Sequence, residues 1–484
     1  MPITRRVFLR NGALAAIGTA ALPSFLTRAA YGAADPGTRT KRLVVIFQRG
    51  AADGLNIVVP HAEPAYYAMR PTINIPQQSV LDLDGFFGLH PSMASFKPLW
   101  DQKHLAIVHA SGSPDPTRSH FDAQDFMESG TPGLKTTDDG WLNRALGELP
   151  MSAGKNGCPA NPTTLSSNST TLSSRASAQP GSPDSPGLAG WGGKERSDQA
   201  RVEGPCASEN ISRVPGGPGV GPLGSVSAFR AIALGPSLPR ILTGREPAVA
   251  INNLNDFSVG GNNPKVQPIS NTFEAMYAGS VDTVLHGTGR ETFDAVKMLK
   301  TADPSKYTPA AGANYPKGRF GDSLRQLAQL IKANVGVQVA FADIGGWDHH
   351  VNEGSTQGQI ANVTGDFSQS IAAFWTDLGS LGEDTVVVTM SEFGRTAREN
   401  GNRGTDHGHA NVMFVLGGPV QGGRVYGRWP GLDQSQLYEG RDLTITTDFR
   451  TVLSEVVSRY LGNKDLRGVF PGFEAPGQFL NFLG

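Results

Sequence analysis

Two short stretches concentrate carboxylates and imidazoles. "GGWDHHVNEG" carries Asp348, His349 and His350, and "GTDHGHAN" carries Asp406, His407 and His409, in a chain of 484 residues with only ten histidines. Aspartate oxygen and imidazole nitrogen together suit zinc, manganese or iron, whereas a lone histidine pair is more often a surface feature. The segment leading into the second stretch, "SEFGRTARENGNR", adds Glu392 and Arg395. Two further loops hold candidate chemistry. "QRGAADGLN" supplies Asp53, although Asp-Gly is also an ordinary turn dipeptide. "SGSPDPTRSHFDAQDFMES" places Arg118, Ser119 and His120 where a helix should begin. Free N–H groups at a helix start favour an alkoxide or a bound oxyanion at Ser119, and Arg118 could pair with phosphate or sulfate. Serine is equally a common helix N-cap, and on residue type alone that role is the favoured one.

The elements that must position these residues read as strands and helices in alternation. "RLVVIF" (42 to 47), "LAIVHA" (105 to 110), "VQVAFADI" (337 to 344), "DTVVVTM" (384 to 390) and "VMFVLGG" (412 to 418) are short β-branched runs. Continuous apolar runs of this length suit strands buried on both faces. Between them, "FGDSLRQLAQLIKANVG" and "DFSQSIAAFWTDLGSLG" have helical spacing, and "TTDFRTVLSEVVSRYLGN" offers Thr447 or Asp448 as a cap and Gly462 as a stop. The expected fold class is α/β, a mainly parallel central sheet with helices on both faces. In such sheets ligands bind beyond the carboxyl ends of the strands. Every candidate cluster follows a strand, and the metal reading rests on that coincidence.

Composition narrows the function further. With 38% hydrophobic residues the chain can bury a sizeable core. Its net charge of -1 and lack of a long basic run exclude the electrostatic footprint of nucleic-acid binding. "TRRVFLRNG" followed by "ALAAIGTAALPSFL" reads, over residues 1–34, as a twin-arginine signal removed on export, because the apolar run is too short to leave a membrane span. The expected location is periplasmic or secreted, with the twin-arginine translocase as export partner. Residues 41–150 and 226–484 form the expected folded domain. Residues 151–225 between them, rich in Ser, Pro and Gly and holding both cysteines, Cys158 and Cys206, read as a disordered insertion or a sequence artefact. The glycine-rich stretches "GSPDSPG" and "PGGPGVG" lie in that segment and not between a strand and a helix, which removes the case for a nucleotide-binding oxidoreductase.

The motifs "RRVFLRNG", "RGAADGLN", "RSHFDAQDFMESG", "GWLNRAL", "GGWDHH", "SEFGRT" and "GTDHGHAN" together resemble the exported bacterial family of domain of unknown function 1501. That family is similar to the alkaline phosphatase and sulfatase superfamily. The resemblance implies an alkaline-phosphatase-like fold with one or two divalent ions, zinc or manganese, and a phosphate or sulfate ester as substrate. It implies Asp53 as a first ligand, Ser119 as nucleophile, Asp348 and His350 as ligands, and Asp406 with His407 as the superfamily's Asp-His-Gly pair. The usual place of that pair, directly after its strand, is here held by Glu392. Either Glu392 takes the carboxylate role with His407 or His409 as a further ligand, or the loop folds back; His349 and His350 stay alternatives. No sulfatase-type maturation motif lies near Ser119. The expected activity is metal-dependent ester hydrolysis by Ser119 or an activated water, with Arg118 or Arg395 balancing charge. The alternative is a non-catalytic exported binding protein of the same fold.

Overall fold

The computed structural model describes residues 40–135, 137–147, 229–254, 307–474 and 477–484. The expected signal at 1–34 and the segment 151–225 lie outside the described residues. The chain divides into two units, Met1–Ala153 with Gly224–Gly484, and Gly154–Leu223; every described residue belongs to the first.

The first β-branched run forms β1 (Arg42–Gln48), buried along its whole length. Three short helices follow, α1 (Gly54–Ile57), α2 (Pro64–Met69) and α3 (Lys97–Asp101). They accompany a small antiparallel sheet of β2 (Val58–Val59), β3 (Leu81–Asp82) and β4 (Gly88–Leu89), in the order β2-β4-β3. Next come β5 (Leu105–Gly112), α4 (His120–Ser129) and α5 (Trp141–Leu146). After residue 228 the chain builds β6 (Ala231–Leu234), β7 (Val249–Ile251), α6 (Arg319–Lys332), β8 (Val339–Ile344) and α7 (Gln359–Leu378). It continues through β9 (Thr385–Ser391), β10 (Asn411–Gly417), β11 (Arg424–Tyr426) and β12 (Thr447–Asp448) to α8 (Phe449–Glu455) and α9 (Leu466–Val469).

The main sheet has the order β11-β5-β10-β9-β1-β8-β6-β7, with β12 also paired to β5. Strands β7, β6, β8, β1 and β9 are mutually parallel, and β10 runs antiparallel to both β9 and β5. The sheet is therefore mixed and mostly parallel. Its side chains divide by the period of two that a strand imposes. Val44 and Ile46 of β1 join a core with α3, α6 and α7, while Leu43, Val45 and Phe47 join a second core with α5, α8 and α9. Apolar residues on both faces account for the unbroken β-branched runs.

At the N-terminal end of the last long helical stretch, Asp448 caps α8 by accepting the N–H of Arg450. The helix continues as a π-helical turn over Val456–Leu461 and stops at Gly462, whose φ of 89° lies in the left-handed region. No helix among the described residues is long and apolar enough to cross a membrane.

Candidate functional site

Parallel strands put their carboxyl ends at one edge, and four loops meet there. The loop after β1 begins at Arg49, the loop after β5 leads to the start of α4, the loop after β8 carries Asp348 to His350, and the long β9–β10 connection carries Glu392 to His409. Because β10 is antiparallel to β9, that connection turns back across the same edge. Arg395 and His407 bridge within it. Thr405 N–H donates to the His349 carbonyl at 3.0 Å, which ties the connection to the loop after β8.

His120, Asp348 and His407 present ligand atoms that all lie within 4.8 Å of one another. His407 Nε2 stands 3.0 Å from His120 Nε2 and 3.6 Å from Asp348 Oδ1, and His120 Nε2 is 3.7 Å from Asp348 Oδ2. Four-coordinate zinc with nitrogen bonds of about 2.0–2.1 Å holds its ligand atoms about 3.3–3.4 Å apart, so this spacing fits one ion. His350 abuts the trio, with Nε2 2.9 Å from His407 Nε2 and 3.0 Å from Asp348 Oδ1.

Each imidazole is held by its other nitrogen. His120 Nδ1 is 2.8 Å from Glu392 Oε1, His350 Nδ1 is 3.2 Å from Asp406 Oδ1, and His407 Nδ1 donates to the Arg118 carbonyl at 2.8 Å. A carbonyl only accepts, so His407 carries its hydrogen on Nδ1 and a lone pair on Nε2. Burial, reinforced by His120, Arg395 and His350, pushes the His407 pKa down, which favours the neutral ring. Burial pushes Glu392 up, but bonds from His120, Gln124 and the Gly50 N–H outweigh it and hold the carboxyl below its ordinary range. Asp406 is lowered against burial by Asn400 and His350. With both carboxylates ionised, His120 and His350 also donate from Nδ1. In the tautomer with hydrogen on Nδ1 and a bare Nε2, the three rings would turn lone pairs toward the Asp348 carboxylate, the donor set that a cation takes.

Asp348 is lowered against burial by the Arg395 guanidinium, whose Nη2 donates to Oδ1 at 2.6 Å. Arg395 has no exposed side-chain surface. It also donates to the carbonyls of Ala51, Gly50, Trp347 and Thr405, so it clamps three loops together. The buried ring of Phe393 packs against both His120 and His407 at 5.0 Å between centroids.

The structure thus brings together Asp348, His350 and His407, with Glu392 and Asp406 each one step behind, bonded to a ring and not among the converging atoms. It does not bring in the rest. Asp53, expected as a first ligand, is buried with its carboxylate on Arg70, Oδ1 accepting from Nη2 at 3.0 Å. His409 is buried and stacked on Tyr438 at 4.3 Å, and burial with the nearby Arg118 pushes its pKa down to about 4. His349 is buried too, which leaves His350 as the member of that pair at the site. Arg118, expected to meet the substrate, turns its guanidinium to Asp442 and Glu439, and only its carbonyl serves the site. Arg395 cannot reach a substrate from its buried position. Ser119 is the N-cap of α4, its Oγ accepting the N–H of Asp122 at 3.5 Å. The residue given no role in the sequence is His120, named at the same helix start beside Ser119. The available signal was that a helix start beyond a strand end aims its first side chain at the ligand edge.

No curated protein and no solved structure matches the chain. The likeness to domain of unknown function 1501 holds over the part that contains Asp348, His350, Glu392 and His407: residues 231–465 match the model of the family described as "Protein of unknown function (DUF1501)".

Proposed function

We propose that the chain is a metal-dependent hydrolase of phosphate or sulfate esters. A zinc or manganese ion would be held by His120 Nε2, His407 Nε2 and the Asp348 carboxylate, with His350 beside it. The observation that carries this is the convergence of imidazole Nε2 atoms on one carboxylate while each Nδ1 is anchored on an acceptor. Three protein ligands with a further position open to solvent is the pattern of catalytic zinc, and Asp348 is 48% exposed. When bound, such an ion polarises the ester oxygen and acidifies a coordinated water.

The chain's own residues divide the remaining work. His350, fixed through Nδ1 by Asp406, can hold or release a proton at Nε2. Glu392 and the Arg118 carbonyl would hold His120 and His407 with Nε2 free for an ion. Arg441, 40% exposed, paired with Asp442 at 3.5 Å and donating to the His407 carbonyl at 2.7 Å, is the guanidinium we assign to an anionic ester. Because the Ser119 oxygen is engaged as a helix cap, water is the favoured nucleophile. The proposal retains export by the twin-arginine translocase to the periplasm or beyond, on the strength of "TRRVFLRNG".

The test is elemental analysis of the purified full chain together with 4-nitrophenyl phosphate and 4-nitrophenyl sulfate as substrates. We expect a bound divalent ion and turnover of at least one ester, lost on chelation and in His120→Ala or His407→Ala. Activity retained in Ser119→Ala identifies water as nucleophile. A chain that takes up no metal and turns over neither ester supports the alternative, a non-catalytic exported binding protein.

A further inference from the structure

Helix α4 serves two surfaces. His120 and Gln124, four residues apart, face the site, where Gln124 Nε2 donates to Glu392 Oε1 at 3.0 Å. One step round the helix, Phe121, Asp125 and Glu128 share the neighbouring face and line a cavity of about 430 Å³. That cavity opens at the carboxyl ends of β6 and β8, the ligand-binding edge of the sheet. Its size falls in the range of about 300–1,000 Å³ typical of small-molecule sites.

The lining has a specific chemistry. Phe121 is 90% exposed, a large aromatic left in water directly after a candidate ligand, and Phe341 lies in the wall. Three guanidiniums reach the cavity, and each is matched by an acid. Arg49 bonds Glu128 and Asp343, Arg240 bonds Asp125, and Arg319 bonds Asp343. The cavity therefore carries fixed donors and acceptors side by side with no excess charge. A second anionic group would find no unpaired cation among them. A neutral ring bearing several hydroxyls would find both its needs met, planar ion pairs for vicinal hydroxyls and an aromatic face for its C–H surface. Arg49 also donates to Gln124 Oε1 at 2.8 Å, which links the cavity through Gln124 and Glu392 to His120.

We infer that this cavity is a saccharide-binding subsite, and that the ester cleaved next to it is carried on a sugar. The second half rests on the hydrolase reading; the first half does not. The test is calorimetric titration of the metal-free full chain with the methyl glycosides of glucose, galactose and mannose, with benzyl alcohol as a neutral aromatic comparison. At least one glycoside is expected to bind, and its affinity to fall about tenfold or more in Phe121→Ala and in Arg319→Ala, the loss of one good contact. Both side chains are largely exposed, at 90% for Phe121 and 65% for the Arg319 side chain, so the variants should fold. Binding of none of the glycosides, binding of benzyl alcohol alone, or glycoside affinity unchanged in both variants overturns the inference. Glycoside binding that is lost in the variants, in a chain that hydrolyses no ester, leaves the subsite standing while the hydrolase reading falls.

Discussion

The carboxylates around the site divide by what they face. Glu392 accepts from His120, Gln124, Ser391 and the Gly50 backbone, so its work is to fix a ring and not to bind an ion. Glu392→Gln should leave the fold intact yet weaken zinc affinity about 10–100-fold, the usual cost of losing a ligand's outer partner, as competition with a chromophoric chelator would read. Unchanged affinity would remove Glu392 from that role. Asp53 behaves differently, since it pairs with the wholly buried Arg70. Asp53→Asn strands that guanidinium, and the expected loss is about 3–5 kcal/mol of stability in urea denaturation. The neighbouring Glu353 is raised well above its ordinary pKa by burial and then by Asp53, whereas Asp53 itself is lowered, since Arg70 outweighs its burial. A raised carboxyl stabilises fully below its unfolded pKa of about 4.3 and loses that contribution as pH rises through the folded value. A lowered one contributes above about 3.9 and is lost in acid. Stability should therefore decline as pH rises past the ordinary carboxylate range, and Glu353→Gln should flatten that decline in urea melts taken across neutral pH. Little of this was legible in the sequence. Asp53 and Asp348 are the same residue type at the same strand edge and both meet a buried guanidinium; what separates them is that Arg70, 17 positions from Asp53, holds both Asp53 oxygens in the core, whereas the Asp348 side chain stays 48% exposed. His120 was hidden for a related reason: Ser119 beside it offered a more familiar chemistry.

Elements were more legible than residues. All five β-branched runs are strands of the main sheet, because burial on both faces demands the continuous apolar pattern that marks them. The direction of β10 was not legible. "VMFVLGG" reads the same whether it pairs parallel or antiparallel, and the connection before it is long enough for either. That direction matters, because it returns Asp406 and His407 to the edge where β9 ends. Close approach of the loops then depends on glycine. A Cβ on Gly404 would lie 2.5 Å from the carbonyl oxygens of both His349 and His350. Gly50, at φ 115°, similarly meets the Asp348 N at 2.9 Å. Gly404→Ala should thus push the loop holding His350 away from the connection holding His407, while the buried strands keep their pairing. The expected result is native-like far-UV circular dichroism with metal affinity reduced about tenfold or more, comparable to losing an outer partner. Native affinity in this variant would show that the two loops need not touch for the site to form.

At the scale of the molecule, the sheet order explains why the site sits where it does. Strands β9, β1 and β8 are adjacent at the centre. Their loops bring Glu392, Gly50 and Asp348 together, and β5, one strand beyond β10, brings α4 and His120. The three segments that carry His120, Asp348 and His407 are far apart in sequence, His120 and His407 by 287 positions, so the site exists only in the folded chain. An ion that binds all of them binds the native state and not the unfolded one, and it must stabilise the fold by mass action. At a free concentration about a hundredfold above its dissociation constant, that stabilisation is about 2.7 kcal/mol. For a domain larger than about 150–250 residues each kcal/mol moves the melting temperature by about 2–4 °C or less, so a rise of several degrees is expected. Thermal unfolding of the full chain with zinc or manganese, against the same chain in chelator, measures it. The rise should vanish in a double variant, His120→Ala with His407→Ala, and persist in Phe121→Ala. That pattern would locate the stabilising ion at the strand-end trio; an equal rise in the double variant would assign it to some other part of the chain.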